Sequence, residues 1–283
     1  MIATTMIGVD HIDMDYCNKY GIYVQKAKGT VAEAISNYTF SAIYGCAAKK
    51  SVNLSNMTIG LIGYGSVGKR IESTARALGF KILIEDPPKA IIENPSQFCN
   101  LDTLLSGSDI VTLNVPLNDR TKGMCNAAFF EKMKFGAFFI NTANGRLVID
   151  EDLIAAAPKL GAIIIDTWNN EPNINRNLLN VCTIGTPHVA GYSYQSKLAA
   201  TRVTVRGVAR FFGLSELFDF FPKPDIDGMD SIRIDVIGKT QGEIASILQY
   251  NYPIFTDDFL FRMNPAAFTE MRLKYKYRRE FHI

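Results

Sequence analysis

The sequence runs to 283 residues, 47% of them hydrophobic, which is enough to bury a sizeable core in one large or two ordinary domains. Thirty Lys and Arg against 28 Asp and Glu leave a net charge of +2, a balance that argues against nucleic acid or an anionic membrane as the main partner. Cys17, Cys46, Cys99, Cys125 and Cys182 stand far apart, with no C-x-x-C pair and no histidine at ligand spacing, so the expectation is reduced thiols, no disulfide frame and no metal site.

The opening "MIATTMIGVD" has no basic segment leading into an apolar run, and no later run reaches the roughly 18 apolar residues of a membrane span. A cytoplasmic protein is expected. Residues 1–48 offer one short strand candidate, "GIYVQKA", and one helical stretch, "EAISNYTFSAIYGCAA". These are too few elements for a domain, so a partial lobe is predicted there.

From residue 57 the pattern changes. "MTIGLIG", "KILIED", "DIVTLNV", "AFFINTA", "GAIIID" and "CTIGTPH" are short apolar runs without polar alternation, as in strands covered on both faces. Stretches long enough for crossover helices, such as 67–78 and 150–160, separate them. Six strands so connected predict an α/β fold with a doubly wound parallel sheet.

Residues 192–212 read as a long helix with Leu198, Val205, Val208 and Phe212 on one apolar face. "FFPKPDIDGMD" reads as a linker. The tail then offers a strand, "SIRIDVIG", a helix over 241–249, and the basic, aromatic run "MRLKYKYRREF", read as a solvated or subunit-facing helix rather than a nucleic-acid groove. The "GKT" at 238–240 is not a phosphate loop, because Arg233 stands where that loop needs glycine. The predicted division is 1–48 as a partial lobe, 49–191 as the sheet domain, 192–222 as a returning helix and linker, and 223–283 as a small α+β C-terminal domain.

"GLIGYGSVGKR" places Gly63, Gly65 and Gly68 in G-x-G-x-x-G order between a strand and a helix, the context in which the pattern signals a dinucleotide pyrophosphate on a helix N-terminus. Asp86 follows 18 residues past Gly68 at the end of the next strand, where a carboxylate can hold the ribose hydroxyls. A carboxylate repels a 2'-phosphate, and Pro87 and Pro88 come next rather than arginine, so NAD is expected over NADP. His188, in "TPHVAGYS", is either a proton carrier or a turn filler, since an imidazole serves both roles. Asp166, at a strand end, reads either as a cofactor contact or as a loop cap, and Trp168 as a wall residue.

Taken in order, "GYGSVGKR", "EDPP", "NVPL", "INTANG", "DTWNNEP" and "TPHVAGYS" resemble the landmarks of the D-isomer-specific 2-hydroxyacid dehydrogenases. "DTWNNEPNINRNLL", "IGTPHVAGYSYQSK" and the tail are most similar to the erythronate-4-phosphate branch of that family. The resemblance implies a Rossmann domain, a flavodoxin-like substrate lobe present only in part here because the sequence begins late, and a C-terminal domain that forms homodimers. It implies His188 as the base, Glu171 as its carboxylate partner, Gly63, Gly65, Ser66, Val67, Gly68, Asp86, Val115, Asp166 and Gly191 as cofactor positions, and Tyr192 as a substrate contact.

Asn144 stands where the family's substrate-gripping arginine is expected, and Arg146 would substitute for it if the segment were extended, since residues i and i+2 then share a side. Lys28, Val31 and Asn37 also differ from the branch's proline, asparagine and glutamate. The implied reaction is NAD-dependent oxidation of 4-phospho-D-erythronate, on the way to pyridoxal phosphate. A different D-2-hydroxy acid, or a catalytically silent NAD-binding dimer, are the alternatives that Asn144 keeps open.

Overall fold

The computed structural model describes every residue except Ile7 and Asp10. The first two strands, β1 (Ile2–Ala3) and β2 (Val24–Gln25), form a small parallel pair. The six expected strands of the main sheet are all present: β3 (Thr58–Ile62), β4 (Lys81–Glu85), β5 (Ile110–Leu113), β6 (Phe138–Asn141), β7 (Ala162–Ile165) and β8 (Ile184–Gly185). They pair in parallel in the order β4-β3-β5-β6-β7-β8. The order reverses at β3, whose neighbours are β4 on one side and β5 on the other, and ligands of open α/β sheets bind at such a reversal. The glycine loop leaves β3 at that point.

Both faces are covered. Ile59, Leu61 and Ile110 point into one buried core, and Ile62, Val111 and Leu113 into the other, which is why these strands read as unbroken apolar runs. Helix α1 (Ala32–Lys50) is buried almost continuously from Ala34 to Ala47 and packs on α2 (Ser66–Ala77) in the first of these cores. It therefore lies inside the sheet domain, not in the preceding lobe to which the sequence boundary at 48 assigned it. The polar Asn37, buried within α1, exchanges hydrogen bonds with the Phe281 backbone through Nδ2 (2.7 Å) and Oδ1 (3.0 Å).

Helix α3 (Tyr194–Phe212) starts at a Ser193 capping box and stops at Gly213, whose φ of +68° closes the last turn. Its predicted apolar face is only half buried: Leu198, Val205 and Val208 are intermediate and Phe212 is 61% exposed. The tail departs further from expectation. Its α4 (Gln241–Asn251) packs on α1, while α5 (Ile254–Met263) packs on β8. Ile244, Leu248, Tyr252 and Phe281 belong to one core of the sheet, and Phe261 and Phe268 to the other. The tail thus has no separate core; it straps both faces of the sheet.

The predicted strand over 231–238 shrinks to β9 (Ile232–Arg233), paired in parallel with β10 (Phe281–His282). The run 271–281 is a helical turn, α6 (Phe268–Leu273), followed by irregular chain in which Arg278 is half-buried against the histidine loop and α1. The five cysteines are unpaired, and among the described residues no cluster could hold a metal and no helix is long and apolar enough to cross a membrane.

Candidate active site

The glycine loop has the geometry a pyrophosphate needs. Gly63 sits at φ +92°, where a Cβ would meet the Asn114 carbonyl at 2.7 Å and Val115 Cγ1 at 2.8 Å. A Cβ on Gly68 would collide with the carbonyl oxygen of Gly63, so only glycine lets α2 approach β3 this closely. Nothing lies within 4 Å of a Cβ built on Gly65, and no side chain caps α2 there. The backbone N–H groups at Ser66, Val67 and Gly68, the first three of α2, have no acceptor within the helix, which is what lets a helix N-terminus receive an anion. Asp86 projects from the end of β4 and accepts from Tyr64 N (2.8 Å) and Lys89 N (3.1 Å), which ties its carboxylate to the glycine loop. Next to it the Glu85 carboxyl is pushed up to about 7, by burial and then by the Asp86 charge.

His188 follows β8 on a loop organised by Asp166. The Asp166 carboxylate is 1% exposed and accepts from Thr186 Oγ1 (2.6 Å), Val189 N (2.8 Å) and Ala190 N (2.9 Å). Burial holds this carboxyl above its ordinary range, against the lowering effect of His188 and these hydrogen bonds. Asp166 is thus a cap that shapes the histidine loop, the loop-cap role its place at a strand end offered. Thr186 is pinned from two more sides, by Tyr38 Oη (2.7 Å) on its hydroxyl and by Trp168 Nε1 (2.8 Å) on its carbonyl.

The loop holds His188 at φ +58°, a left-handed conformation that costs a non-glycine residue ~1 kcal/mol or more and concentrates at functional sites. In that conformation His188 N donates to Asp166 O (2.8 Å), and its ring Nδ1 meets Glu171 Oε2 at 2.8 Å. Glu171 Oε1 accepts from Trp168 N at 2.9 Å, so the carboxylate is itself oriented by the backbone. Side-chain exposures of 37% for His188 and 21% for Glu171 leave the pair reachable from solvent. With Nδ1 bound to the carboxylate, Nε2 is the nitrogen left to exchange a proton with substrate.

Asn144 does not reach outward as an arginine would. Its side chain accepts from Arg146 N (3.0 Å), capping a short 3-10 turn over Gly145–Leu147. The segment is therefore not extended and the i, i+2 premise for Arg146 fails, although Arg146 is exposed. Gly145 abuts the Trp168 backbone so closely that a Cβ could not fit, which packs this turn against the segment leading to Glu171.

Sequence reading missed the tail's part in the site. Arg278 donates from Nη1 to Val189 O and Tyr192 O (3.0 Å each) and from Nη2 to Ala34 O (3.1 Å) and Ala190 O. Its guanidinium also lies 4.1 Å from the Tyr252 ring centroid. Gly191 packs on Val31, 3.3 Å from a built Cβ, and Tyr192 lies among Lys197, Arg272, Tyr275 and Tyr277.

Residues 33–190 match the family model described as "D-isomer specific 2-hydroxyacid dehydrogenase, NAD binding domain". The chain belongs to this family. Its members are NAD-dependent oxidoreductases, and NAD is the cofactor. Curated relatives named erythronate-4-phosphate dehydrogenase include one from Bacteroides fragilis, 33% identical over 99% of this chain and 79% of its own length. Another, from Hydrogenovibrio crunogenus, is 34% identical over 100% and 75%. Among solved structures, D-lactate dehydrogenase from Aquifex aeolicus, complexed with NAD and lactic acid, aligns with a TM-score of 0.65 at 28% identity, covering 78% of this chain and 80% of that one.

Proposed function

We propose that this member of the family oxidises a phosphorylated 2-hydroxy acid, 4-phospho-D-erythronate, to its 2-oxo acid, with His188 as the base. The observation that carries the mechanism is the 2.8 Å contact between His188 Nδ1 and Glu171 Oε2 on a loop held in a strained conformation. The substrate assignment is supported by the relatives named erythronate-4-phosphate dehydrogenase, which span nearly the whole chain including its tail.

Bound at Gly63–Gly68, NAD supplies the hydride acceptor. The protein's own work is proton transfer and orientation. His188 Nε2 takes the proton of the substrate hydroxyl as the C2–H bond yields its electron pair, and the imidazolium so formed faces the Glu171 carboxylate. Glu171, held in turn by Trp168 N, fixes the ring's tautomer and stabilises its charge. Asp166 keeps the loop in register, and Asp86 selects a free ribose over a 2'-phosphorylated one.

The same proposal includes a homodimer and a cytoplasmic location. The dimer is supported by apolar side chains exposed on the tail helices and beside them, Tyr250 (86%), Phe259 (61%), Met263 (70%) and Leu273 (80%). The location is supported by five unpaired thiols.

A second reading, a dinucleotide-binding dimer without turnover, is favoured by one observation: at the family's arginine position an amide is folded back onto Arg146 N. NADH production from 4-phospho-D-erythronate and from a panel of unphosphorylated D-2-hydroxy acids separates these readings. Preference for the phosphorylated acid is expected. Higher kcat/KM for another acid contradicts the substrate assignment, and cofactor binding without any turnover establishes the silent form.

A further inference from the structure

Tyr192, four residues past His188, is the centre of a cationic cluster. Lys197 Nζ stands 3.8 Å from its ring centroid, and Arg272 Nη2 donates to its hydroxyl at 3.1 Å. The Tyr275 and Tyr277 rings, 5.8 and 6.0 Å from that of Tyr192, wall the cluster. No carboxylate among the described residues forms an ion pair with either cation, whereas Arg262 and Lys274 of the same tail each have one. Burial and then the Arg272 charge press the Lys197 ammonium below its usual range. Arg272 Nε is buried without an acceptor.

Two neighbouring cations without a counter-charge, one of them with an orphaned donor, raise each other's energy, and a bound dianion relieves that cost. We propose that Lys197, Arg272 and the Tyr192 hydroxyl form a phosphomonoester subsite that holds the terminal phosphate of the hydroxy acid oxidised at His188. This rests on the substrate reading above.

The placement suits a short substrate. Tyr192 N donates to Val189 O at 2.8 Å, closing a turn whose end Cα atoms lie within about 7 Å, so the Cα atoms of His188 and Tyr192 are at most about 11 Å apart. A guanidinium and an ammonium also divide the work in a familiar way, one offering a planar fork and the other a point charge. The tail, through Arg272, would then contribute to substrate choice.

Lys197→Gln and Arg272→Gln test this by two readouts, with NADH fluorescence titration confirming that each variant still folds. The first is calorimetric titration of inorganic phosphate into the NADH complex. The wild type is expected to bind phosphate, and each variant to lose about 10- to 100-fold in affinity. The second is the ratio of kcat/KM for 4-phospho-D-erythronate to that for D-erythronate, expected to fall by a similar factor in each variant, with phosphate competing against the phosphorylated acid only.

A wild type that fails to bind phosphate, or variants that bind it equally well, overturn the site whatever the activity. Phosphate binding that is lost in the variants, in an enzyme that prefers unphosphorylated acids, sinks instead the substrate reading and the link to it.

Discussion

The guanidinium of Arg278 and the carbonyl oxygen of Val189, 3.0 Å apart, join the tail to the residue that follows His188. The same side chain reaches Ala190, Tyr192 and, in α1, Ala34. One half-buried cation therefore fixes the histidine loop against the tail and α1.

Replacing Arg278 with methionine keeps most of the volume but leaves buried carbonyls unpaired, and a loss of roughly 3–5 kcal/mol in urea unfolding is expected. In Arg278→Lys, which folds more readily, kcat falls by more than the affinity for NADH, because the loop and not the nucleotide cradle is disturbed. Equal losses in both would mark Arg278 as merely structural.

The proposed role of Asp86 is to discriminate between cofactors. Asp86→Asn is expected to weaken NADH about 10-fold or more by fluorescence titration while narrowing the gap to NADPH, since the repelling charge is gone. An unaltered gap would show that the carboxylate does not face the ribose.

Glu85 sets a pH dependence of stability. Its carboxyl, ordinarily near 4.5, is held protonated up to about 7, so across that window the folded state keeps a proton that the unfolded chain has lost. Stability from this group falls as pH rises from about 4.5 to about 7, by ~3 kcal/mol at most. In Glu85→Gln the urea midpoint should rise at alkaline pH relative to the wild type and change little near pH ~4.5. A larger gain on the acid side has the wrong sign for a buried carboxyl.

Asn144→Arg restores a charged fork at the family's position. A gain of about 10- to 100-fold in kcat/KM is expected, with about 1 kcal/mol of stability lost because the cap on Arg146 N disappears. Arg146→Ala, in an exposed 3-10 turn, is expected to matter much less. The reverse order of effects would restore Arg146 as the substitute.

The sheet and cradle were legible because their causes are local. β-branched runs such as Ile163, Ile164 and Ile165 need cover on both faces, and Gly63 and Gly68 allow approaches that a Cβ would block. The pairing of Glu171 with His188 could be anticipated only by resemblance, as 17 residues separate the two and nothing in their spacing brings them together. What could not be read was tertiary. Helix α1 has no polar face because α2 and α4 enclose it. The run "KYKYRREF" looks solvated, yet Arg278 finds its acceptors some 90 residues back and in α1. Asp166 announces a carboxylate at a strand end, and only the folded loop shows that its oxygens are taken by Thr186, Val189 and Ala190.

The most direct test of the whole account is the rate of NADH formation by His188→Asn under saturating NAD and 4-phospho-D-erythronate, compared with the wild type at equal cofactor occupancy. A drop of about 10²- to 10⁴-fold with NADH affinity retained is predicted, as for loss of a positioned general base. Turnover within a few-fold of the wild type would contradict His188 as the proton acceptor.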